Sequence, residues 1–452
     1  MEKTTADVGA LHPVASTQNA RGSPAAIQAA TNSNSWSDAT ATPASRVRWG
    51  IFVVIFLITL INLVDRISLS IAMPTIAKEF VLSPTIQGVI LSSFFWSYAI
   101  LQIPAGLLID RLGPRRVVAG ATLLWGAFQM LLAFSTGGLS LLLLRLGLGG
   151  AEAPLFPAGS KLNALWLSSR ERGRGAVLMD AGSPLGAAIG GIVISQLILI
   201  LHSWRTAFFV AGALTMLMGL VAWLYLRDDP AQHPRVNREE LALIREKPLT
   251  LSSGRSHVAF PVRAAMAMSF GRAGWAMIFF GLVTWGPSYL AQARGFDLRV
   301  LGASTFLIFF SGALGSLSGG FLCDALVQRG FRRGPAVKSM ITVSGLATLL
   351  VFACLPHITA PVPAVAVLCV ASFLLMWGSL YWSLPSLLVD VNQVGILGAV
   401  MNCAGSIGGI AIPIITGLIL QRTASFDMVL YFYSACAVVY MLGTLMINFK
   451  NA

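Results

Sequence analysis

Runs of about 20 predominantly apolar residues recur along the whole chain, and each is long enough to cross the hydrocarbon core of a bilayer as an α-helix. The 452 residues are 56% hydrophobic and only 11% charged, so a water-soluble globule could not bury this much apolar surface. The runs predict twelve spans, near residues 50–73, 86–109, 117–136, 139–160, 176–200, 206–226, 264–291, 301–325, 337–356, 363–389, 397–420 and 427–447. We therefore expect an all-α membrane protein with twelve transmembrane helices.

The net charge of +13 would suggest a nucleic-acid partner if the basic residues formed one patch, but they alternate between connectors. Of the 31 lysines and arginines, 23 lie in the N-terminal segment, in alternate connectors and at the C-terminus, and five lie in the connectors between. Cytoplasmic connectors of membrane proteins carry this excess. We predict a multi-pass protein of the cell (inner) membrane with both termini in the cytoplasm, a lipid bilayer as its surroundings and no nucleic-acid partner.

Residues 1–48 are rich in Ala, Ser, Thr and Asn and lack the apolar core of a signal peptide, which predicts a disordered cytoplasmic tail. The five cysteines all fall in predicted spans without metal-ligand spacing, which favours packing roles. The five histidines lie in the tail, in loops or at span edges, where they cannot ligate a haem or metal within the membrane. We expect neither a metal nor a cofactor, and an enzyme is disfavoured.

Two short segments recur once in each half of the chain. The segment "GLLIDRLGPRR" (106–116) is echoed by "GFLCDALVQRG" (320–330), which places Asp110 and Asp324 214 residues apart. The segment "GSPLGAAIGG", from Gly182, is likewise echoed by "GSIGGIAIP", from Gly405. Each pair occupies the same ordinal position in its half, as expected of parallel repeats with small residues at helix contacts.

The repeats divide the ordered chain into two bundles of six helices. We predict an N-terminal bundle over 49–226, a cytoplasmic loop over 227–262 and a C-terminal bundle over 263–448. The loop includes "NREELALIREK", which is predicted to form a surface helix.

The segment 106–116 resembles the loop signature of the major facilitator superfamily. The resemblance implies two six-helix bundles that rock about a central site. It nominates a conformational latch, because an aspartate near a helix end with arginines in the next turn can join neighbouring helices and separate on rocking. The latch residues are Asp110, Arg111, Gly113 and Arg115. A solvated basic loop would explain the arginines equally well, but it would not explain the glycine spacing.

Few ionisable side chains lie within the predicted spans, where each costs about 2.5–3.5 kcal/mol on insertion scales and suggests function. The first span holds Asp65 and Arg66 in "INLVDRISLSIA", and the fourth holds Arg145 and Glu152 in "RLGLGGAEAPLFPAG". Arg145 and Glu152 are seven residues apart and share a helix face, with glycines between them that allow close helix approach. A structural ion pair between Asp65 and Arg66 is the alternative to a functional one.

Three further residues in or near spans are candidates. Asp180 lies near the cytoplasmic start of the fifth span, where it is either functional or simply facing water. Arg272, in the seventh span, is placed either to reach a central cavity or to extend to the cytoplasmic surface. Tyr98 is on the second span, which faces the cavity in the fold that the resemblance implies.

The first and fourth spans are also similar to those of the anion:cation symporter branch, which includes sugar-acid and hexuronate importers, sialin and vesicular glutamate transporters. The resemblance implies that Arg66 and Arg145 bind the substrate carboxylate and that Asp65 and Glu152 take part in proton coupling. The segment "MNCAGSIGG" resembles a substrate-contacting asparagine motif, which nominates Asn402.

Two further sequence details bear on the substrate. The seventh span resembles that of vesicular glutamate transporters, which supports substrate binding by Arg272. Leu63 stands where several bacterial members have tyrosine, and a lost hydroxyl disfavours a substrate with many hydroxyls.

These residue types suit coupled anion transport. Arginine stays charged and holds a carboxylate with two parallel hydrogen bonds, whereas aspartate and glutamate can change charge when burial and nearby cations change. We predict a monomeric secondary active transporter that imports a small organic carboxylate, such as a sugar acid, with protons. A dicarboxylate or aromatic-acid carrier, with other coupling or exchange, and a transporter-like anion sensor remain alternatives.

Overall fold

The computed structural model describes residues 43–168, 171–245, 262–389 and 391–449, and within these ranges a few side chains, including that of Asp180, lie outside the description. The described residues form helices and connecting loops with no β-strand. The α-helices are α1 (Val47–Glu79), α2 (Pro84–Leu112), α3 (Pro114–Leu132), α4 (Gly138–Glu152), α5 (Leu155–Trp166), α6 (Arg172–Leu201), α7 (Trp204–Tyr225), α8 (Arg238–Arg245), α9 (Val262–Gln292), α10 (Leu298–Gln328), α11 (Arg333–Cys354), α12 (Pro361–Leu375), α13 (Leu384–Leu388), α14 (Val391–Thr423) and α15 (Phe426–Leu445). The all-helical membrane fold predicted from the sequence is confirmed.

Eleven helical stretches in the described part of the chain are long and apolar enough to cross a membrane. The predicted third span is the exception, because α3 begins with Pro114, Arg115 and Arg116 and carries Gln129 near its end. Its 19 residues rise about 28 Å at 1.5 Å each, close to the thickness of the hydrocarbon core. The helix packs along α7 inside the N-terminal half, so it completes the bundle.

Two of the predicted spans are interrupted. The fourth consists of α4 and α5, which meet at Ala153 and Pro154, where proline has no N–H to continue the helix. The tenth consists of α12, a 3-10 segment over Met376–Ser383 and α13. A 3-10 segment within a span often marks a functional hinge. Both predicted spans are present, and each contains an interruption that the apolar pattern does not show.

Close helix contacts use the glycines of the repeated motifs. On α6, Gly182, Gly186 and Gly190 face α1, and a Cβ at any of them would meet the α1 backbone or side chains. A Cβ at Gly186 would contact both the Leu60 backbone and the Leu63 side chain, so Leu63 packs at this helix contact. Backbones can approach closely only where no side chain intervenes, as expected for helices in lipid.

The two halves meet at one end of the bundle. There the beginning of α2 packs against the end of α14: a Cβ at Gly88 would collide with the Pro413 carbonyl, and one at Gly417 with the backbone of Pro84. The Ser92 hydroxyl donates a hydrogen bond of 2.7 Å to the Ile410 carbonyl oxygen across the same contact. The contact between α6 and α10 closes the bundle beside it.

The second half of α2 is open by comparison. Ile103 is 79% exposed and Leu107 is 62% exposed, and most other residues from Ile100 to Leu112 are also exposed. This end carries the motif 106–116 and the basic connectors, and we call it the basic end. Because the described contacts between α2 and α14 lie at the opposite end, we infer that the bundle is closed there and open towards the basic end.

The connector after α7 is docked at the basic end. The predicted surface helix is present as α8, but Glu240 is fully buried rather than exposed. Its carboxylate accepts hydrogen bonds from the backbone N–H groups of Val47 and Arg48, at 3.1 and 3.0 Å, and so caps the start of α1. Arg48 also contacts Glu171 at 3.1 Å. Burial alone would raise the pKa of Glu171, but its hydrogen bonds from Arg48 and Ser168 hold it below the usual value.

The domain bounds predicted from the sequence are only partly within the described residues. Residues 1–42 of the predicted tail and residues 246–261 of the predicted loop lie outside them. Helix α1 already begins at Val47, so the last two residues of the predicted tail are helical.

Candidate substrate-binding site

Arg66 and Glu152 form a buried ion pair between α1 and α4. The Arg66 Nη2 atom lies 3.0 Å from Glu152 Oε2 and 3.2 Å from the side-chain oxygen of Asn62. Glu152 is completely buried and Arg66 is 8% exposed. Glu152 Oε1 and Arg66 Nε have no hydrogen-bond partner among the described residues. The pair therefore keeps unused hydrogen-bonding capacity on both members, which a ligand or a proton could take up.

An aromatic wall on α2 supports both arginines of the N-terminal half. The Arg66 guanidinium carbon lies 4.3 Å from the Phe94 ring centre and 5.3 Å from that of Tyr98. The Arg145 guanidinium carbon lies 5.2 Å from the Phe94 ring centre. Phe94 and Tyr98 stack on each other, with ring centres 5.6 Å apart. Cation–π contact fixes each guanidinium while leaving its N–H groups available for hydrogen bonds.

Arg145 is the buried cation with the most unused donors in this half. It is 2% exposed, and its Nε and Nη1 atoms have no hydrogen-bond partner among the described residues. Helix α4 can bring it against α2 because a Cβ at Gly149 would collide with the Phe94 carbonyl oxygen. The glycines between Arg145 and Glu152 thus have the close-packing role that the sequence predicts. An unpaired buried guanidinium is costly unless an anion joins it.

Asp65 and Arg66 are adjacent in sequence but point in different directions, since successive residues of a helix are about 100° apart. The Asp65 Oδ2 atom accepts hydrogen bonds from the Trp125 indole N–H at 3.1 Å and from the Thr215 hydroxyl at 2.7 Å. These partners are on α3 and α7, whereas Glu152, the partner of Arg66, is on α4. The structural alternative of an Asp65–Arg66 ion pair is therefore wrong, because each residue has its own partners.

Arg272, on α9, is the corresponding buried arginine of the C-terminal half, with 8% exposure. Its guanidinium carbon lies 4.0 Å from the Trp275 ring centre and 5.3 Å from that of Trp382. A Cβ at Gly405 would lie 3.6 Å from Arg272 Nε, so the side chain crosses α14 where that helix lacks a side chain. Arg272 is thus buried between aromatic rings and α14, and its role in substrate binding stays a prediction.

Helix α14 joins the two halves of the site. Gly409 is one helical turn beyond Gly405, and a Cβ there would contact the Phe95 ring at 3.0 Å. The Arg66 guanidinium carbon lies 6.0 Å from the centre of that same Phe95 ring. Arg66 and Arg272 therefore approach the same glycine-rich segment of α14 from opposite halves.

Two predicted site residues are less well defined. Asn402 is partly exposed on α14, one turn before Gly405 and Ser406, and its carbonyl oxygen accepts a hydrogen bond from the Ser406 hydroxyl. The Asp180 backbone is in α6, but its side chain lies outside the described part of the structure. Their proposed roles in substrate contact and proton coupling stay predictions.

The residues of the predicted latch lie at the basic end, and their role as a latch stays a prediction. Asp110 pairs with Lys161 of α5 at 2.7 Å, and the backbone N–H of Arg115 donates to Asp228 at 2.7 Å. Gly113 has a φ of +83°, and a Cβ there would collide with the Asp228 carboxylate. Arg111 is exposed. The glycine requirement is thus geometric, and the contacts hold the N-terminal half together in this open state.

Sequence reasoning missed several residues of the site. Phe94, Trp275 and Trp382 support the arginines, but in an apolar span an aromatic residue is more often a packing residue. A signal was available for Trp275, which follows Arg272 by three residues and so shares its helix face. Phe94 and Trp382 are on other helices from the arginines that they contact, so no local spacing indicates them. The described residues contain no group of His, Cys, Asp and Glu that could hold a metal.

Comparison with known proteins places the chain in a family. Residues 55–413 match the Major Facilitator Superfamily. A probable sulfoacetate transporter of Cupriavidus necator is 30% identical over 414 residues, which cover 89% of this chain and 94% of that protein. A probable galactarate/D-glucarate transporter of Escherichia coli strain K12 is 29% identical over 415 residues, which cover 87% of this chain and 93% of that protein. A hexuronate transporter of Bacillus subtilis is 29% identical over 391 residues, which cover 85% of this chain and 90% of that protein.

Solved structures show the same fold. A bacterial homologue of the human lysosomal transporter Spinster, in an inward-facing and occupied conformation, superposes with a TM-score of 0.70 at 17% identity and covers 90% of this chain and 97% of that one. The two-bundle architecture, the motif at 106–116 and the match over most of the sequence agree. The chain belongs to the major facilitator superfamily and is a membrane transporter rather than an enzyme.

Proposed function

We propose that this protein imports a small organic carboxylate across the cell (inner) membrane by alternating access coupled to protons. The observation that carries the proposal is the buried Arg66–Glu152 pair beside Arg145, whose Nε and Nη1 donors are unused. The related transporters named above carry sugar acids or sulfoacetate, all of them organic anions. An anion that entered from the open end would meet both guanidinium groups along the Phe94 wall.

The coupling step follows from competition for Arg66. With Glu152 ionised, Arg66 is held at 3.0 Å by a carboxylate that belongs to the protein. Protonation of Glu152 removes that negative charge and weakens the pair, because the attraction between two opposite charges is lost and only a hydrogen bond from the cationic guanidinium to a neutral acid remains. Arg66 can then turn its donors to the substrate carboxylate. Proton and anion bind together, and neither alone satisfies all the buried groups.

The basic connectors set the proposed orientation. The basic end, which holds 106–116 and α8, would face the cytoplasm by the positive-inside rule, and both termini would lie there. The present structure would then be open to the cytoplasm and closed at the periplasmic side, where α2 meets α14. The proposed import cycle ends in this state, with the substrate released inward.

A first experiment identifies the substrate. Purified protein is heated with galactarate, D-glucarate, a hexuronate or sulfoacetate at acidic and at neutral pH, because a ligand that binds only the folded state raises Tm. The compound that raises Tm most, and more at acidic pH, is then tested for accumulation in proteoliposomes driven by a pH gradient. Uptake that only follows the substrate gradient and does not respond to the pH gradient would contradict proton coupling.

A second candidate substrate class is a diacid or an aromatic acid. The site presents a guanidinium stacked on aromatic rings from each half, with Arg66 on Phe94 and Arg272 between Trp275 and Trp382. Two acidic groups on one molecule could contact both, and a flat apolar body would suit the rings between them. Galactarate and D-glucarate are already diacids, so adding short dicarboxylates without hydroxyls and benzoate-type acids to the same panel separates this class from hydroxylated sugar acids.

A further inference from the structure

The carboxylate of Asp65 lies on the face of α1 that packs against α3 and α7, which we call the rear of α1. Both of its hydrogen bonds end on one oxygen, Oδ2, and both come from neutral donors, Trp125 on α3 and Thr215 on α7. The other oxygen, Oδ1, has no partner among the described residues, and Asp65 is 1% exposed. Two donors aimed at one oxygen suit an ionised carboxylate, and Oδ1 is the atom left to receive a proton.

The polar contacts continue behind α1. The Gln129 side-chain nitrogen donates to the Ser68 hydroxyl at 3.0 Å, and that hydroxyl donates to the backbone carbonyl of Asp65 at 2.7 Å. Gln129 is one turn beyond Trp125 on α3, so α3 contacts the Asp65 carboxylate directly and reaches its backbone carbonyl through the Ser68 hydroxyl. A buried network of this kind fixes the rotation of α1 about its axis.

The charged surroundings of Asp65 lie on two helices. Arg145 and Glu152 of α4 act on it electrostatically. Arg66 is the next residue of its own helix. In the described contacts α3 and α7 offer it only uncharged donors, and α6 faces α1 with the glycines at 182, 186 and 190. The protonation state of Asp65 is therefore set by the two neutral donors on α3 and α7 and by the charged residues of the substrate site.

We propose that Trp125 and Thr215 are positioning residues that fasten ionised Asp65 to α3 and α7, so that protonation of Asp65 loosens α1 and changes how Arg66 pairs with Glu152. The proposal rests on the proposed proton-coupled function. Neutralising the carboxylate weakens both hydrogen bonds at once, because each loses its charge assistance. A small rotation of α1 would then move Arg66, since the two residues are rigidly joined in one helix turn.

The test follows Asp65 directly and does not need the substrate. A buried protonated carboxylic acid has its own carbonyl band in infrared difference spectra recorded between acidic and neutral pH, and Asp65→Asn identifies that band. Thr215→Val keeps the side-chain shape and removes one donor. We expect it to raise the frequency of the Asp65 band and to move the titration midpoint to higher pH by about one unit, the equivalent of one charge-assisted hydrogen bond.

Thr122→Val is the matched control. Thr122 is also fully buried on α3, but its hydroxyl donates only to the Val118 carbonyl of its own helix. We expect this variant to leave the band and its midpoint unchanged. Trp125→Phe provides a second test through the other donor, and a shift in the same direction as Thr215→Val supports the proposal.

Three results would overturn the proposal: no Asp65 band at any accessible pH, a band that Thr215→Val and Trp125→Phe leave in place, or an equal shift in Thr122→Val. Each is distinct from failure of the proposed function. If proton-driven accumulation were observed but the Asp65 band did not shift in the two variants, only the role of the two donors would be refuted. A shifted band without pH-driven accumulation would instead refute proton-coupled transport and keep the positioning role.

Discussion

Replacement of Glu152 by glutamine is the sharpest test of how proton and substrate share Arg66. The amide imitates the protonated acid and cannot ionise, so Arg66 would be released at every pH. The contact that is lost is one charge-assisted hydrogen bond of 3.0 Å at a fully buried carboxylate. Such a bond contributes about 1.5–3 kcal/mol, which corresponds to roughly tenfold to a hundredfold or more in affinity.

Two measurements on Glu152→Gln follow from this reasoning. Substrate affinity at neutral pH should rise by that factor, to about the value that the wild type reaches at acidic pH, and its pH dependence should flatten. Accumulation driven by a pH gradient in proteoliposomes should be lost, whereas exchange of labelled for unlabelled substrate should persist. Binding is measured by calorimetry or by the thermal shift of the purified protein.

The matched control is Glu79→Gln at the opposite end. Glu79 also pairs with an arginine, Arg205, at 2.7 Å, but its side chain is 38% exposed. Surface pairs contribute little, so this variant should keep the wild-type pH dependence and accumulation. If Glu152→Gln kept full pH-driven accumulation and an unchanged pH dependence of binding, competition for Arg66 would not be the coupling mechanism.

Three further predictions address topology, substrate contact and helix packing. Single cysteines in 227–262 should react with a membrane-impermeant label only in inverted vesicles, and labelling in intact cells would reverse the orientation. Arg272→Ala should weaken substrate binding by at least about 1.5 kcal/mol. Arg272→Lys should restore it only in part, because lysine lacks the two parallel donors of the planar guanidinium. Unchanged affinity in Arg272→Ala would leave Arg272 a structural role alone. Gly149→Ala should lower Tm in detergent by forcing α4 away from α2. Gly120→Ala, at a position of α3 with open space around it, should leave Tm unchanged. Equal Tm values for the two variants would contradict the close contact.

The sequence was sufficient to identify the buried charges of the N-terminal half. Arg66, Arg145 and Glu152 are conspicuous because an ion in an apolar span is costly, and the structure brings them to one wall of α2. The glycines of the motif at 106–116 and of α6 could also be identified, since the motif is recognisable and Gly182 and Gly186 recur as Gly405 and Gly409. The residues that pack against these glycines could not be identified from the sequence. Asp228 packs against Gly113 and Leu63 against Gly186, and each lies far from its glycine along the chain.

Side-chain direction was the main quantity that local sequence left open. Asp65 and Arg66 could have paired, and only the positions of α3, α4 and α7 decide that one points to Trp125 and the other to Glu152. The same holds for Glu240, which lies in a polar, surface-like helix and yet is fully buried against the start of α1.

The sequence by itself determined that the chain crosses a bilayer repeatedly as helices and where most of those helices lie. The reason is that lipid offers no hydrogen bonds, so apolar runs of sufficient length must satisfy their own backbone, and this requirement acts within each segment. The tertiary structure alone decided at which end the two halves pack together, where the Asp65 side chain points and which aromatic rings contact the arginines. Those outcomes depend on contacts between helices that are far apart along the chain, and a uniform apolar solvent imposes no preference among them.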